Sequence, residues 1–375
     1  MHVLVTTDTL SPVWAYTRDL VTGLTGRGAR VTLISFGEIP AASERTAWMD
    51  NLRGLEYRPT AFRLDWMQEG QEDFNDSSAY LCALVKERRP DLLHLNHPCY
   101  GNLSVATPRI VVAHGDLIGW SKGVHGREPK PTQWLRLYRQ RLNEGYNGAD
   151  MVIAPSVWML DSLRSSYVMP ARSAIVYHGR NPVCFNPYGK KDGSVLAAGR
   201  MLDASQQLEL LTQHNHRVPV SIVGAESAIQ ATKSFIRTDV KVALEEAAVS
   251  VKGQQTETQM RALYSRSSIY AATARYEPFG AGTMEAAFSR CAIVANDIPL
   301  FRELWGAAAL YFRSNNSASL ADTLQSVSED RELCRTYTNR AFQRAHECFT
   351  SKRMIDEYFN LYDRVLATCK TAAAA

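Results

Sequence analysis

The sequence lacks long apolar runs and concentrated charge. No stretch reaches the roughly 18 consecutive apolar residues that a membrane-spanning helix requires. The 42 Lys and Arg residues against 38 Asp and Glu residues leave a net charge of only +4 over 375 residues. Dedicated nucleic-acid binders carry a stronger and more clustered basic charge, so we expect no nucleic-acid partner. We also expect no secretory leader, because the first apolar segment meets Asp8 within a few residues, and we therefore predict a cytoplasmic protein.

Paired cysteines are missing as well. The seven cysteines are scattered, odd in number and never spaced as a Cys-x-x-Cys pair. A disulfide framework or a zinc site needs regular spacing, so the pattern favours reduced thiols. His214 and His216 stand two residues apart in a polar stretch, which is more typical of a solvated loop than of a metal site. We expect neither a metal nor another cofactor.

What the sequence does have is an alternation of short apolar runs with helical patterns along its whole length. The composition is globular, with 45% hydrophobic and 21% charged residues, and the length suggests two domains. Apolar runs without polar alternation are typical of strands buried on both faces of a parallel sheet. The predicted strands are 2–6, 30–35, 92–95, 109–113, 151–154, 174–177, 195–198, 220–223, 250–251, 269–272, 292–295 and 309–312. The predicted helices between them include 16–25, 206–213, 257–265 and 283–289.

A break in this alternation separates the two halves. Segment 180–189 contains two prolines and no periodicity, which is typical of an interdomain hinge. The pattern predicts an α/β protein of two doubly wound domains that face one another across a cleft. We place an N-terminal domain at 1–180 and a C-terminal domain at 181–351. Helix 352–370, which carries an apolar stripe at 354–366, is expected to complete the N-terminal domain.

The segment RYEPFGAGTMEAA, residues 275–287, is the most informative part of the sequence. It follows a predicted strand, and in open α/β sheets ligands bind beyond the carboxyl ends of strands. Glu277 precedes a proline and so lies on an extended loop. Residues 280–282 leave a helix start poor in side chains, where N–H groups and the helix dipole can hold a phosphate. Carboxylates repel a phosphate, so Glu277 and Glu285 suit hydroxyls on either side of it, although an exposed loop and a solvated helix explain the spacing equally well.

This segment resembles the Glu-x7-Glu signature of retaining glycosyltransferases of family 4, and SRCAIVANDIPLFRELWGAAALYF directly after it extends the resemblance. That family has the GT-B fold, two Rossmann-like domains with the active site between them, which agrees with the two predicted domains. The resemblance implies transfer of a sugar from a nucleotide-diphosphate donor, without a catalytic metal and with retention of the anomeric configuration. Stabilising the departing diphosphate is then the main task of the protein.

The resemblance also implies donor-site roles. In such enzymes the residue that matches Glu277 contacts the donor sugar, and the one that matches Glu285 binds ribose hydroxyls. Gly253 follows a predicted strand, and we place it near the base. The backbone expected along the sugar and diphosphate is that of Phe279, Gly280, Ala281 and Gly282.

Arg200 is the candidate cation for the diphosphate. It follows predicted strand 195–198 and Gly199, where its guanidinium can bind phosphates bidentately, although an Arg at a strand end is more often a surface residue. Similar enzymes have a Gly-Arg pair followed within the next helix by a Lys, and both cations bind the diphosphate. Gln206 takes the position of that lysine here, so a second cation is expected from elsewhere.

The N-terminal half is expected to supply the acceptor site. His114 ends a predicted strand, and the family commonly has a histidine there, close to the transferred sugar; a His hydrogen-bonded within a turn is the alternative. Asp116 either orients His114 or caps the following helix. Trp14 either stacks on a sugar or packs at the start of its helix, and packing is slightly favoured. Relatives have two adjacent glycines in the first loop, and Ser11-Pro12 in their place leaves less room for a phosphorylated acceptor.

We therefore predict a retaining glycosyltransferase whose catalytic residues are Glu277, His114 and Arg200. The acceptor is expected to be sugar-containing, lipid-linked or a small molecule. The alternatives are a catalytically silent nucleotide-sugar-binding protein and a nucleotide-sugar epimerase of similar fold. A phosphorylase of this fold needs a cofactor-bearing lysine in its C-terminal domain, and the scarcity of lysines there argues against it. Basic helix 134–142 has the pattern of a membrane-surface helix, but a packed helix with a solvated basic face is commoner, so peripheral membrane contact is not favoured.

Overall fold

Parallel sheets organise both halves of the chain, which divides into two compact units. The first unit comprises Met1–Gly179 with Ser351–Ala375, and the second comprises Arg180–Thr350. The computed structural model describes residues 1–10, 12–39, 47–68, 70–170, 172–199, 204–214, 217–224 and 248–374, with the side chains of 204–206, 370 and 372–374 outside the description.

The first unit is built on seven parallel strands in the order β3-β2-β1-β4-β5-β6-β7. The strands are β1 (His2–Asp8), β2 (Arg30–Phe36), β3 (Leu55–Pro59), β4 (Leu92–Leu95), β5 (Arg109–Val112), β6 (Met151–Ala154) and β7 (Ser173–Ile175). Its helices are α1 (Val13–Gly26), α2 (Gln71–Arg88), α3 (Leu117–His125), α4 (Gln133–Gly148), α5 (Val157–Arg164) and the last described helix of the chain, Ser351–Ala374.

In the described part of the second unit, six parallel strands form a sheet in the order β10-β9-β8-β11-β12-β13. The strands are β8 (Val195–Ala198), β9 (Val220–Val223), β10 (Val249–Lys252), β11 (Ile269–Ala272), β12 (Ala292–Asn296) and β13 (Leu310–Phe312). The described helices are α6 (Ala204–Thr212), α7 (Glu257–Arg266), α8 (Ala281–Phe288), α9 (Pro299–Trp305), α10 (Ser317–Glu329) and α11 (Arg331–Cys348), so that Ser351–Ala374 is α12. The prediction of two parallel α/β domains is confirmed.

Apolar side chains cover both faces of the first sheet. On β1, Val3 and Val5 enter one core and Leu4 enters the other, as the two-residue period of a strand requires. Each strand is therefore apolar at consecutive positions, which is why the sequence shows runs rather than alternation. Edge strand β3 escaped the prediction because its sequence LEYRP alternates polar and apolar residues and its side chains are only partly buried.

Helix α12 belongs to the first unit although it follows the second in sequence. Its apolar stripe joins the core face that α1 covers, through Met354, Tyr358, Leu361, Tyr362 and Val365. The two helices approach closely, because a Cβ on Gly23 would overlap the side chain of Ile355. Within the described residues, no helix combines the length and the apolar character that a bilayer crossing needs.

The strand order reverses once in each sheet, between β1 and β4 in the first and between β8 and β11 in the second. At such a reversal neighbouring crossovers leave the sheet in opposite directions, and a crevice opens beyond the carboxyl ends of the strands. The two reversal points therefore mark where each unit is built to bind a ligand.

Candidate active site

The structure describes three of the predicted donor-site positions only in part or not at all. Arg200 follows β8 and lies outside the described residues, and the side chain of Gln206, in the first turns of α6, is also undescribed. Gly253 follows edge strand β10, and its carbonyl accepts a hydrogen bond from Gln255 Nε2 at 3.1 Å. The assignments of Arg200, Gln206 and Gly253 stay predictions.

Lys191, the lysine closest before Arg200 in sequence, does not serve as a diphosphate cation. Its ammonium donates to the carbonyls of Ser267 at 2.8 Å and Ser289 at 2.7 Å, which precede β11 and β12. Burial lowers the pKa of this ammonium. Lys191 therefore holds helix ends together at the amino edge of the sheet, opposite the edge where the predicted donor segment begins.

Glu277 folds back onto the start of α8. Its Oε1 accepts the backbone N–H of Gly280 at 3.1 Å and that of Phe279 at 3.4 Å. The first N–H groups of a helix have no acceptor within it, so a carboxylate in this position stabilises the helix start. The carboxylate therefore binds one of the N–H groups that the sequence prediction assigned to a phosphate, that of Gly280.

Gly280 is required by the backbone of this turn. It is the N-cap residue of α8 and has φ +66°, a left-handed conformation that side chains rarely adopt. A Cβ there would lie 2.9 Å from Thr283 Oγ1 and 3.2 Å from Leu304 Cδ1. The turn therefore depends on glycine both for its conformation and for its packing.

Gly282 is required for a different reason, the approach of Tyr270. Tyr270 lies on β11, and its hydroxyl donates to the carbonyl of Ala198 at the end of β8, at 3.4 Å. A Cβ on Gly282 would lie well inside van der Waals contact of that hydroxyl oxygen and 3.1 Å from Tyr270 Cζ. Gly282 thus lets α8 pack against the sheet beside the reversal point.

Glu285 is held in a buried ion pair that the sequence did not suggest. Arg180 Nε donates to Glu285 Oε1 at 2.8 Å, and the two side chains are 6% and 19% exposed. The other side of the guanidinium faces Glu257, with NH2 3.6 Å from Oε1, and Arg180 also lies over the ring of Phe185 at 5.8 Å. Arg180 therefore sets the position of the carboxylate that was predicted to bind ribose.

The pKa values of two tyrosines are raised by burial and by the carboxylates of this site. Burial raises the pKa of Tyr270, and the carboxylates of Glu277 and Glu285 raise it further. Burial and then Glu285 raise the pKa of Tyr264 in the same way. Both phenols stay protonated, so they can donate hydrogen bonds beside the two carboxylates.

In the first unit, His114 and Asn96 join at the reversal between β1 and β4. His114 follows β5, and its Nε2 lies 2.7 Å from Asn96 Oδ1. Asn96 Nδ2 donates to the carbonyl of Thr6 at 2.7 Å, which fixes the orientation of the amide and leaves Oδ1 as an acceptor. His114 therefore carries its proton on Nε2. Burial, followed by the neighbouring histidines, lowers the pKa of His114 well below its usual value, so the ring is neutral and Nδ1 is its accepting nitrogen.

A buried network extends from this pair to α12. His94 Nδ1 lies 2.7 Å from the hydroxyl of Tyr362, and Tyr16 donates to Tyr358 at 2.7 Å. The ring of Tyr16 stacks on His178 with 4.3 Å between centroids. Burial lowers the pKa of His94 to about 3, so this ring is neutral too. The network holds His114 and its neighbours in one arrangement.

Asp116 caps α3, one of the two roles that the sequence left open. Its Oδ1 accepts the N–H groups of Ile118 and Gly119, both at 2.9 Å, and the hydroxyl of Tyr167 at 2.7 Å. Burial raises the pKa of Asp116 despite these bonds. Because His114 Nε2 is bound to Asn96, the structure shows no direct bond between Asp116 and that nitrogen.

Trp14 lies in an aromatic cluster on α1. Its ring contacts Trp48 and Tyr57 edge-on, with centroids 6.1 and 6.3 Å apart. This is the packing role that the sequence slightly favoured. Pro12 directly precedes α1, and Ser11 lies outside the described residues.

The two halves of the chain match two family models. Residues 13–183 match Glycosyltransferase Family 4, and residues 199–344 match Glycosyl transferases group 1. The chain consists of two glycosyltransferase domains. No protein among the curated sequences matches it.

Solved structures match the fold along the whole chain, although their sequence identity is low. Sucrose-phosphate synthase from Thermosynechococcus elongatus is 16% identical with a TM-score of 0.77, and the match covers 98% of this chain and 100% of that one. HepE of Anabaena in complex with UDP-glucose is 16% identical with a TM-score of 0.71, covering 98% and 100%. A glycosyltransferase of Rickettsia africae is 15% identical with a TM-score of 0.72, covering 97% and 98%. The fold is that of GT-B glycosyltransferases.

Within these glycosyltransferase domains, sequence reasoning missed Arg180 and Asn96. Arg180 stood in the predicted hinge, and nothing in the sequence relates it to Glu285, 105 positions away. Asn96 carried a usable signal, because it directly follows β4 and so occupies the carboxyl end of a central strand. Residues that follow neighbouring strands of a parallel sheet lie at the same edge. Comparing the residues after β4 and β5 in this way would have paired Asn96 with His114.

Some of the basic side chains of helix α4, in the family 4 domain, make contacts within the domain. Arg141 is buried and donates to Gln68 Oε1 at 2.8 Å and to the carbonyl of Gly70 at 2.9 Å. Arg139 pairs with Glu128, which also binds Lys122 at 3.1 Å. These contacts are those of a packed domain helix, the commoner explanation of its sequence pattern.

Proposed function

We propose that this protein is a retaining glycosyltransferase that moves a sugar from a nucleotide-diphosphate donor to an acceptor hydroxyl. The observation that carries the proposal is the pair of carboxylates on the α8 segment. Glu277 lies against the N–H groups at the helix start, and Glu285 is held by Arg180 one helical turn further on. A diphosphate bound at the helix start would have a hydroxyl-binding carboxylate on each side.

The donor roles proposed are those that the family resemblance implies. Glu285 binds the ribose hydroxyls, Glu277 binds the sugar to be transferred, and the backbone of Phe279, Gly280, Ala281 and Gly282 runs along the diphosphate. Arg200 stabilises the departing diphosphate, and Gly253 lies near the base. Negative charge develops on the diphosphate as it leaves. The backbone N–H groups and Arg200 stabilise that charge, so removing one of them lowers the rate of transfer.

A uridine nucleotide is the donor proposed first. HepE was solved with UDP-glucose, and the structure of TarM from S. aureus contains UDP. Both share the fold of this chain at low identity. The support is therefore an analogy of fold, and UDP-glucose is the first compound to test.

The acceptor side is assigned to the first unit. His114 is neutral, and its accepting nitrogen can take a hydrogen bond from a sugar hydroxyl. Transfer with retention is proposed as substitution on one face of the sugar, in which the leaving phosphate takes the proton of the acceptor hydroxyl. The reaction is proposed to need no metal ion.

The test separates the two carboxylates by ligand. Glu285→Ala should weaken binding of UDP and UDP-glucose alike, because both contain ribose. Glu277→Gln should leave UDP affinity nearly intact while transfer and donor hydrolysis fall. Each change removes a hydrogen bond to a charged group, about 1.5–3 kcal/mol, which corresponds to a roughly tenfold or larger effect. Calorimetry measures the two affinities, and release of UDP measures turnover.

Glu332→Gln is the matched control, because this glutamate is 84% exposed on α11. It should change neither affinity nor turnover. Nucleotide-sugar binding without any turnover would favour the catalytically silent alternative, and inversion of the anomeric carbon in the product would contradict retention. Full activity in both Glu277→Gln and Glu285→Ala would overturn the proposal.

A further inference from the structure

Carboxylates gather at the carboxyl edge of the first sheet. Asp8 ends β1, Asp116 follows β5, and Asp65 opens a short helical turn, Asp65–Met67, after β3. Burial raises the pKa of Asp65 to about 6, and repulsion by Asp8 and by Asp116 adds to that rise. The carboxyl of Asp65 is therefore close enough to those of Asp8 and Asp116 to be affected by both.

The chain itself already binds each of these carboxyls through backbone N–H groups. Asp8 Oδ1 accepts the N–H of Leu10 at 3.0 Å, and Asp65 Oδ1 accepts that of Trp66 at 2.9 Å. Asp116 Oδ1 makes the three capping bonds described above. Its Oδ2 is buried, and within the described part of the chain it has no hydrogen-bond partner. A buried carboxylate oxygen needs a donor, which a bound molecule can supply.

His97 provides an independent sign of a ligand at this edge. Its ring is 4% exposed, and its Nδ1 lies 3.2 Å from Thr6 Oγ1, so the ring is anchored to the interior of β1. Nε2 is the other ring nitrogen, and Asp8, at the carboxyl end of β1, is close enough to act electrostatically on the ring. This nitrogen is buried and lacks a hydrogen-bond partner among the described residues.

The charge of this edge discriminates between acceptors. Carboxylates accept hydrogen bonds from hydroxyls, and a hydroxyl satisfies an imidazole nitrogen in either tautomer. A phosphate would meet like charges instead. Burial raises the pKa of Asp116, and the positive charge of Lys122 opposes that rise. The ammonium of Lys122, however, pairs with Glu128 at 3.1 Å, so its charge is already balanced by a carboxylate.

We infer that the edge formed by Asp8, Asp65, Asp116 and His97 binds an uncharged, hydroxyl-rich sugar or polyol as acceptor and rejects one whose bound end carries a phosphate. The inference rests on the proposed function, since it names the acceptor class of the same reaction. Packing alone would not require buried polar groups at this edge, and acceptor binding explains their presence.

Matched acceptor pairs test the inference. Glucose, fructose and glycerol are compared with glucose 6-phosphate, fructose 6-phosphate and glycerol 3-phosphate, with UDP-glucose as donor and UDP release as the measure. The unphosphorylated member should have a kcat/KM higher by about tenfold or more, because like charges in a partly buried site oppose binding of the phosphate. Saturation-transfer NMR on the same pairs reports binding without turnover.

Asp65→Asn should reduce the ratio of kcat/KM for the unphosphorylated acceptor to that for its phosphate ester. The substitution removes one of the charges that repel the phosphate and keeps the shape of the side chain. Asp76→Asn is the matched control, because Asp76 is exposed on α2. Equal or faster use of the phosphate esters, binding of neither series, or the same narrowing in both variants would overturn the inference. Failure of the proposed function is distinguishable, because it would appear either as loss of UDP and UDP-glucose binding in calorimetry without any acceptor present, or as donor binding with no UDP release for any acceptor of either series.

Discussion

Glu285 shows how one side chain acquires its role from a partner far away in sequence. Its oxygen lies 2.8 Å from Arg180 Nε, and Tyr264 also hydrogen-bonds to the carboxylate. A carboxylate fixed in this way is ready to bind hydroxyls without losing further side-chain freedom. The same charge left without its cation would be costly to keep in a mostly buried position.

Arg180→Ala should therefore destabilise the second unit by about 3 kcal/mol, near the lower end for breaking a buried pair because Glu285 keeps 19% exposure. Thermal or urea unfolding measures this loss. UDP binding should weaken as well, and discrimination between UDP and its 2′-deoxy analogue should shrink, because Glu285 is no longer held.

Arg302→Ala is the control for this substitution. Arg302 pairs with Asp297 at 2.6 Å, but its side chain is 52% exposed. Water screens such a pair, so its loss should change stability by less than about 1 kcal/mol. Equal losses from the two variants would mean that burial does not set the strength of the Arg180 pair.

At the scale of elements, the start of α8 decides the shape of the candidate donor site. Gly280 supplies the left-handed turn, and Gly282 lets the helix pass the hydroxyl of Tyr270. The sequence suggested a bare helix start that leaves room for a phosphate. The structure adds that the second glycine faces the sheet and is a packing requirement.

Gly282→Ala should destabilise the second unit by about 1–3 kcal/mol, because the new methyl group overlaps a buried and rigid side chain. Adding Tyr270→Phe removes the overlapping oxygen, and the double variant should regain part of the loss. Thermal unfolding of the two single variants and the double variant measures this coupling.

Gly26→Ala serves as the comparison, since Gly26 ends α1 and a Cβ there would meet nothing within 4 Å. Alanine favours a helix over glycine by up to about 1 kcal/mol, so this variant should be neutral or slightly stabilised. If Tyr270→Phe gave Gly282→Ala no relief, the overlap would have to lie elsewhere.

At the scale of the whole molecule, the chain returns to its first unit after completing the second. Helix α12 contributes five buried residues to the core face shared with α1, and Tyr358 and Tyr362 also bind Tyr16 and His94. Each fully buried apolar side chain stabilises by about 1.5–3 kcal/mol. Their sum is comparable with the whole stability of a typical domain, about 5–15 kcal/mol.

A chain ending at residue 350 should therefore lose cooperative unfolding of the first unit, while fragment 180–350 should fold with its own core. Circular dichroism and amide NMR spectra of the two fragments measure this. A separate peptide of residues 351–374 should restore the first unit in part. Truncation after Thr371 is the control and should be silent, because it leaves the apolar stripe intact. A first unit that stays cooperative without α12 would contradict this role.

The sequence by itself determined most of the strands and the class of the fold. Runs such as 92–95, 151–154 and 195–198 match β4, β6 and β8 residue for residue, because strands buried on both faces are predominantly apolar. Position along the chain also placed the α8 segment after a strand, where α/β sheets bind ligands. The periodicity of α12 was equally readable; periodicity alone does not show which sheet a helix covers, and the structure places α12 on the first sheet, in the unit where it was expected.

Only the tertiary structure decided which groups meet. The order β3-β2-β1-β4-β5 brings Asp8, His97 and Asp116 to one edge, although these residues are far apart along the chain. The same holds for Arg180 with Glu285 and for Asn96 with His114. Periodicity reports whether a residue faces a core, and it carries no information on which strand lies beside which. Ion pairs, tautomers and the shared burial of charges depend on that adjacency, so they exist only once the sheets have formed.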